Sequence, residues 1–239
     1  MSGRGRPRPH GAIVRRAAAD ADLAVDEAGG GFWGDALDRL AEAVFGSPTG
    51  RRRARPLLDR QDEVIGGLGL GDQPHELLQA MRIDAALCDL DVDGGGSGDT
   101  WAWRAASGAL HDVETSPVVR ALAASQSGIF EVSRRRGALV LRECSRGLLV
   151  HLAAEEDAWA LTDEVALWDA RLVLRRSGAR LCRRPLAYPI EILPWLLRAG
   201  EERWAGRRAP DLLDLRAMWL RWRRSRGGDP AHFFGGHAR

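Results

Sequence analysis

The sequence predicts an α+β protein with helical parts at both ends and an antiparallel sheet between them. Two observations predict it. Gly128 to Pro185 alternates apolar and polar residues in short runs separated by turn residues, the signature of β-hairpins. On either side, apolar residues recur at three- and four-residue spacing, the signature of amphipathic helices. Apolar residues make up 45% of the 239-residue chain, enough for a packed core, and the length allows one or two domains.

Residues 1–31 read as a disordered tail. Met1 to Ala19 holds five arginines and no acid, Asp20 to Glu27 turns acidic, and Gly29-Gly30-Gly31 closes the segment. So little apolar surface cannot offset the entropy of ordering. A basic arm for nucleic acid or acidic protein and an inert tail are both open readings. A mainly helical region is predicted over 32–126. Its first helix is Phe32 to Phe45, from Phe32, Trp33, Leu37, Leu40, Ala41 and Val44, stopped by Gly46-Ser47-Pro48. The run Arg51-Arg52-Arg53-Ala54-Arg55 beside Pro56 reads as a solvated loop, with phosphate contact as the alternative. A short helix over Leu57 to Ile65 is broken by the glycines from Gly66 to Gly71. Asp72 is placed as the N-cap of a helix over Pro74 to Leu87, with Leu77, Leu78, Met81 and Ala85 as its stripe. Trp101, Trp103 and Leu110 mark a partly buried segment. Ser116 and Pro117 open a helix through Ala124.

The strand region is assigned to 127–187. Turns are expected at Arg134 to Gly137, Ser145 to Gly147 and Ser177-Gly178. Leu139 and Leu141 share a face, as do Leu148, Val150 and Leu152. Ala170, Leu172 and Leu174 share another, with Arg171 and Arg175 opposite, and Ala179 and Leu181 have Arg180 opposite. One apolar face per strand and tight connections imply an antiparallel meander that closes on itself or is covered by a helix. Four or five strands in under about 60 residues is the size of a small SH3-like or OB-like barrel. Ala153 to Asp163 reads as an acidic crossover. C-terminal helices packing on the barrel are predicted over 188–226. Tyr188 to Gly200 forms one, with Pro194 at its start. Ala209-Pro210-Asp211 opens the last long one, with Leu212, Leu215, Trp219 and Trp222 on one stripe. Residues 227–239 read as a flexible tail.

The runs Ser127-Gly128-Ile129-Phe130-Glu131-Val132, Leu139 to Glu143 and Trp168 to Val173 resemble a small β-barrel segment found in uncharacterised bacterial proteins. Some of those also carry a Cys-rich SEC-C zinc motif. The segments Asp89 to Leu110 and Ser116 to Ala124 are similar to the helical lead-in of that group, so the resemblance covers about Arg82 to Pro189. The SEC-C cysteines are absent from this chain. The resemblance implies an architecture and carries over neither a zinc role nor a reaction.

Composition excludes several chemistries. All 35 basic residues are arginine, against 33 acids, for a net charge of +2. Without lysine there is no P-loop lysine, no Schiff-base amine, no Ser-x-x-Lys hydrolase and no kinase lysine. Cys88, Cys144 and Cys182 are odd in number and form no Cys-x-x-Cys, which points to a reducing, cytoplasmic compartment. Cys144 and Cys182 lie in strand-like runs and read as small buried apolar residues. No apolar run approaches the roughly 20 residues of a membrane span, and no apolar stretch follows Arg15-Arg16, so neither a membrane partner nor a secretory signal is expected. No nucleophile-elbow, zinc-protease or dinucleotide motif occurs, and His75, His111 and His151 are isolated. His232 and His237 with Asp229 offer a weak metal reading in the tail.

Two stretches carry site readings. Asp89-Leu90-Asp91-Val92-Asp93-Gly94 matches the start of an EF-hand loop, with Asp99 further on, but the twelfth position is Thr100 and not a bidentate Glu. Asp89, Asp91, Asp93 and Asp99 are therefore candidate ligands for Ca²⁺ or Mg²⁺, and a solvated acidic turn is the other reading. On the last helix, Arg216, Arg221, Arg223, Arg224 and Arg226 lie opposite the Leu/Trp stripe as a candidate nucleic-acid surface. The reading placed first is a non-enzymatic binding or adaptor module without cofactor, with nucleic acid as the partner of its arginine-rich surfaces. The second is a divergent metal-dependent enzyme or regulator using the Asp89 to Asp99 loop. The third is a scaffold for protein partners.

Overall fold

The computed structural model describes residues 21, 32–92, 98–153, 166–207, 209–226 and 228–235. The rest of the expected N-terminal tail lies outside the described residues, as do Asp93, His237 and the acidic crossover beyond Ala153. Ala21, within the stretch expected to be disordered, is fully buried in the helical core.

Helix α1 (Phe32–Phe45) forms where the apolar spacing predicts it, and Trp33, Leu37, Leu40 and Val44 are buried along one face. The chain does not loop after it. The Ser47 hydroxyl accepts the Gly50 N–H at 2.9 Å and Pro48 takes the first turn, so α2 (Pro48–Ile65) starts at once. The arginine run expected in a loop is therefore helical, and α2 continues through Pro56. Burial explains this. Gly50, Ala54, Leu57, Gln61 and Ile65 form one buried stripe, while Pro56 sits on the exposed side, where the missing N–H leaves a carbonyl to water. Helix α3 (His75–Cys88) buries Leu78, Met81 and Ala85. Pro74 stands at its N-cap position. Asp72, expected there, accepts instead from the Gly69 N–H at 2.8 Å and from Arg224. Thr100 caps α4 (Trp101–Ala106), and Ser116 caps α5 (Pro117–Ala123) by accepting the Val119 N–H, as its sequence position predicts.

Among the described residues six strands follow: β1 (Gln126–Arg135), β2 (Ala138–Glu143), β3 (Leu149–His151), β4 (Ala166–Arg175), β5 (Gly178–Leu181) and β6 (Leu186–Tyr188). They form one antiparallel sheet in the order β3-β2-β1-β4-β5, with β6 also paired to β4. The β1–β2 hairpin closes through Arg136 and Gly137 at φ 51° and 85°, the left-handed pair whose twist matches the strands. The sheet curls into a half-barrel. Leu152 bridges to Ala179, whose carbonyl accepts the Ala153 N–H at 2.9 Å. The concave face buries Phe130, Val132, Leu141, Trp168 and Leu172, including the inward sets predicted for β2, β4 and β5. Leu148, predicted to share a face with Val150 and Leu152, is instead 40% exposed in the turn before β3.

The convex face is also covered. Leu167 to Val173 of β4 are buried without interruption, so that strand is packed on both sides. Val173 and Cys182 join a core with α1, α2, α4 and α5. Ile129, Leu167 and Leu186 join a second core with α6 (Leu193–Trp204), α7 (Leu212–Arg224) and α8 (Pro230–Phe234). Tyr188, expected inside a helix, ends β6 instead, and a 3-10 turn at Ile190–Ile192 leads into α6. Reciprocal bonds between Asp211 and Asp214 cap α7 at 2.9 and 3.1 Å. The tail expected to be flexible contains α8, whose Phe234 is fully buried. No helix among the described residues is long and apolar enough to cross a membrane.

Candidate functional site

Two of the four predicted metal ligands, Asp89 and Asp99, are taken up in separate ion pairs. Asp89 pairs with Arg171, whose guanidinium also donates to the Ser125 hydroxyl at 2.9 Å. Burial opposes the charge of Arg171, and the Asp89 carboxylate overcomes it, holding the guanidinium pKa above its ordinary value. Asp99 takes three bonds from Arg104 at 2.8 to 3.2 Å. Asp91 is half-buried, and Asp93 lies outside the described residues. Among the described residues no group of three His, Cys, Asp or Glu side chains is placed to hold a metal.

The arginine face divides in the same way. Arg216 is not on the surface. Its side chain is only 13% exposed and makes two bonds to Asp169 at 2.7 and 2.9 Å. Together with Arg171 and Arg183, which Asp84 holds at 2.7 Å, it forms a layer of compensated charge between β4 and the helices. The layer borders a void of about 20 Å³, room for a single water. Arg224 is committed to Asp72 at 2.7 Å and to the Gly67 carbonyl. Its guanidinium holds the Asp72 carboxyl below the usual value. Arg221, Arg223 and Arg226 are exposed, and none has a carboxylate partner among the described residues. Arg223 lies over the rings of Trp219 and Trp222 at 5.6 and 5.8 Å. Those tryptophans are not open stacking platforms. Trp219 is buried and donates to the Ala187 carbonyl, and Trp222 donates to the Gly228 carbonyl, each at 2.9 Å.

A concavity with a mixed lining lies elsewhere. A groove of about 220 Å³ opens between β1, the β2–β3 turn, α6 and α7. Its floor is the point where β2 leaves β1. Cys144 still donates its N–H to the Ile129 carbonyl at 2.9 Å, and the chain then turns away. Antiparallel pairing alternates, so the N–H and C=O of Ser127 point the same way as those of Ile129, into the space β2 has vacated. The Ser127 hydroxyl has no partner among the described residues. Leu196 of α6 and Leu212 and Leu215 of α7 form an apolar wall. Glu143 is almost fully buried at one side, where it accepts from the Ser145 hydroxyl at 2.7 Å, the Arg146 N–H and the Arg146 Nε. Arg146 and Arg203 stand at the rim, and Arg203 also donates to the Pro210 carbonyl. Gly200 sets the width: an added Cβ there would meet the Cys144 carbonyl at 2.7 Å.

No family model, curated protein or solved structure matches this chain. The chemistry of the groove therefore rests on its own residues. Sequence reasoning passes over Ser127, Glu143 and Arg203, because segments far apart in the chain build the groove. The one local sign is a buried glutamate at the end of strand β2.

Cys144 also lines the groove. Burial pushes its thiol up to about 12, does the same to Cys88, and raises Cys182 as well. Nucleophilic sulfur needs the thiolate. Iodoacetamide at pH 8 is expected to leave all three thiols of the native protein unmodified while it labels all three in urea. Rapid labelling of Cys144 in the native protein would show an activated nucleophile in the groove.

Proposed function

We propose that the chain is a non-enzymatic binding module whose ligand site is the groove between the half-barrel and helices α6 and α7. The observation that carries this reading is the open backbone edge at Ser127, which faces a concave space with one apolar wall and one polar rim. Sites of this kind combine apolar area with a few placed polar groups. The reading is non-enzymatic because the reactive candidates in the groove are occupied: Glu143 by three donors, and Cys144 by its proton. The curl of the sheet, with ligand space at one open end, supports grouping it with the small SH3-like or OB-like barrels.

A second reading is nucleic-acid contact through Arg221, Arg223 and Arg226, supported by three exposed guanidiniums without carboxylate partners among the described residues. One experiment addresses both. Backbone amide NMR spectra are recorded with neutral, anionic and cationic apolar fragments, and separately with a single-stranded oligonucleotide over a salt series. Fragments are expected to shift the amides of Ser127, Gly128 and Gly200, and Ala199→Phe, which fills the groove from α6, is expected to abolish those shifts. If no fragment moves these amides, the groove reading fails. Oligonucleotide shifts on α7 that weaken with salt support the second reading, and their absence at low salt removes it.

A further inference from the structure

The groove has a charge preference, and it follows from which of its ionic groups are already satisfied. Glu143 is almost fully buried and takes donors from Ser145 and Arg146, so its negative charge is compensated within the protein. Arg146 spends its Nε on Glu143 and one terminal nitrogen on Gln126, yet its side chain is 48% exposed at the rim. Arg203 is exposed and is held by one bond to a carbonyl, a neutral acceptor. Two guanidiniums therefore face one carboxylate, and the carboxylate is the buried member. An incoming cation would meet arginines first. An incoming carboxylate would meet donors.

The space behind the rim adds an apolar requirement. Leu196, Leu212 and Leu215 line one side, and 220 Å³ accommodates a single short or branched apolar chain. On the other side, the Ser127 N–H and C=O can pair with an extended amide in the manner of an added strand. We propose that this groove binds a carboxylate attached to a short apolar chain, with Arg203 and Arg146 on the carboxylate and the leucine wall on the chain. The C-terminus of an extended peptide ending in an aliphatic residue has this chemistry, and so does a free medium-chain acid. Only the peptide adds an amide for Ser127. The proposal rests on the groove being a ligand site.

The test compares N-acetyl-leucine, N-acetyl-leucinamide, leucinamide and octanoate by amide NMR titration of the full chain. N-acetyl-leucine is expected to shift Ser127, Gly128 and Gly200 and to bind about tenfold more tightly than N-acetyl-leucinamide, the scale of one hydrogen bond to a charged group. Arg203→Gln is expected to remove most of that difference, and Arg146→Gln provides a second reading of it. Each variant's amide spectrum reports whether its fold is retained. Octanoate binding at the same amides without N-acetyl-leucine binding still supports the carboxylate and assigns the source to a free acid. Equal binding of the acid and the amide, or tighter binding of the cationic leucinamide, overturns the charge preference and leaves the groove standing as a site. No groove shift with any of the four removes both.

Discussion

Asp169→Val is expected to destabilise the protein by about 3–5 kcal/mol, because it strands a charge in the interior. Asp169 is fully buried on the convex side of β4, and both its oxygens accept from Arg216. Burial opposes the charge on Arg216, and Asp169 overcomes that opposition, raising the guanidinium pKa. The neighbouring Tyr188 phenol is pushed up first by burial and then by the Asp169 charge, and its hydroxyl has no hydrogen-bond partner among the described residues. With Asp169 removed, α7 must either hold an uncompensated guanidinium against the sheet or move away from it. Arg216→Met is expected to cost a similar amount, since it leaves the buried Asp169 side chain without the two bonds Arg216 donates. The double variant Asp169→Val with Arg216→Met strands nothing, and it is expected to recover more than half of the summed loss. Urea midpoints at an unchanged slope measure all three variants. Costs that simply add in the double variant would show that the pair is uncoupled and that the layer of charge does not position α7.

That pair also marks the limit of what the sequence makes legible. Local periodicity identifies α1 from Trp33, Leu37, Leu40 and Val44, the Ser116 cap, and the hairpin turn at Arg136-Gly137, because each depends on neighbours within a few residues. Period-two alternation also places Ala170 and Leu172 inside the half-barrel and Arg171 outside it. What alternation cannot say is what covers the outside. Arg171 reads as an ordinary polar position on the outer face, and it is buried, with Asp169 on the same face, only because helices from distant segments cover β4. Asp89 shows the same limit from the other direction. Its spacing resembles a calcium loop, but its partner is Arg171, 82 residues further along the chain. The Arg51 to Arg55 run fails for a different reason. Proline and clustered charge argue for a loop, but the Ser47 cap and the stripe from Gly50 to Ile65 outweigh them. The groove is the least legible feature: Leu212 and Leu215 read as part of a helix stripe, but nothing local says that they face β1 across a gap.

Phe234→Ala is expected to cost about 3–5 kcal/mol, the scale for emptying a buried aromatic site. The flexible tail read from the sequence would instead make the substitution nearly silent, within about 0.5 kcal/mol. The difference arises from packing. Helix α8 spans only Pro230–Phe234, too short to persist on its own propensity. Asp229 caps it by accepting the Ala231 N–H at 2.9 Å, and the remaining stability must come from Phe234. That ring is 1% exposed and sits 6.1 Å from the Tyr188 ring and 5.9 Å from the Trp195 ring, both in tilted or edge-on geometry. Tyr188 belongs to β6 and Trp195 to α6, so one side chain near the C-terminus ties a strand to the helix beside the groove. Phe234→Leu keeps most of the volume and is expected to cost under about 1.5 kcal/mol. Leu196, the next residue after Trp195, lines the groove. Loss of Phe234 is therefore expected to speed amide hydrogen exchange along α6 as well as to lower the urea midpoint. A lowered midpoint with unchanged exchange in α6 would place the role of Phe234 in α8 alone and detach it from the groove.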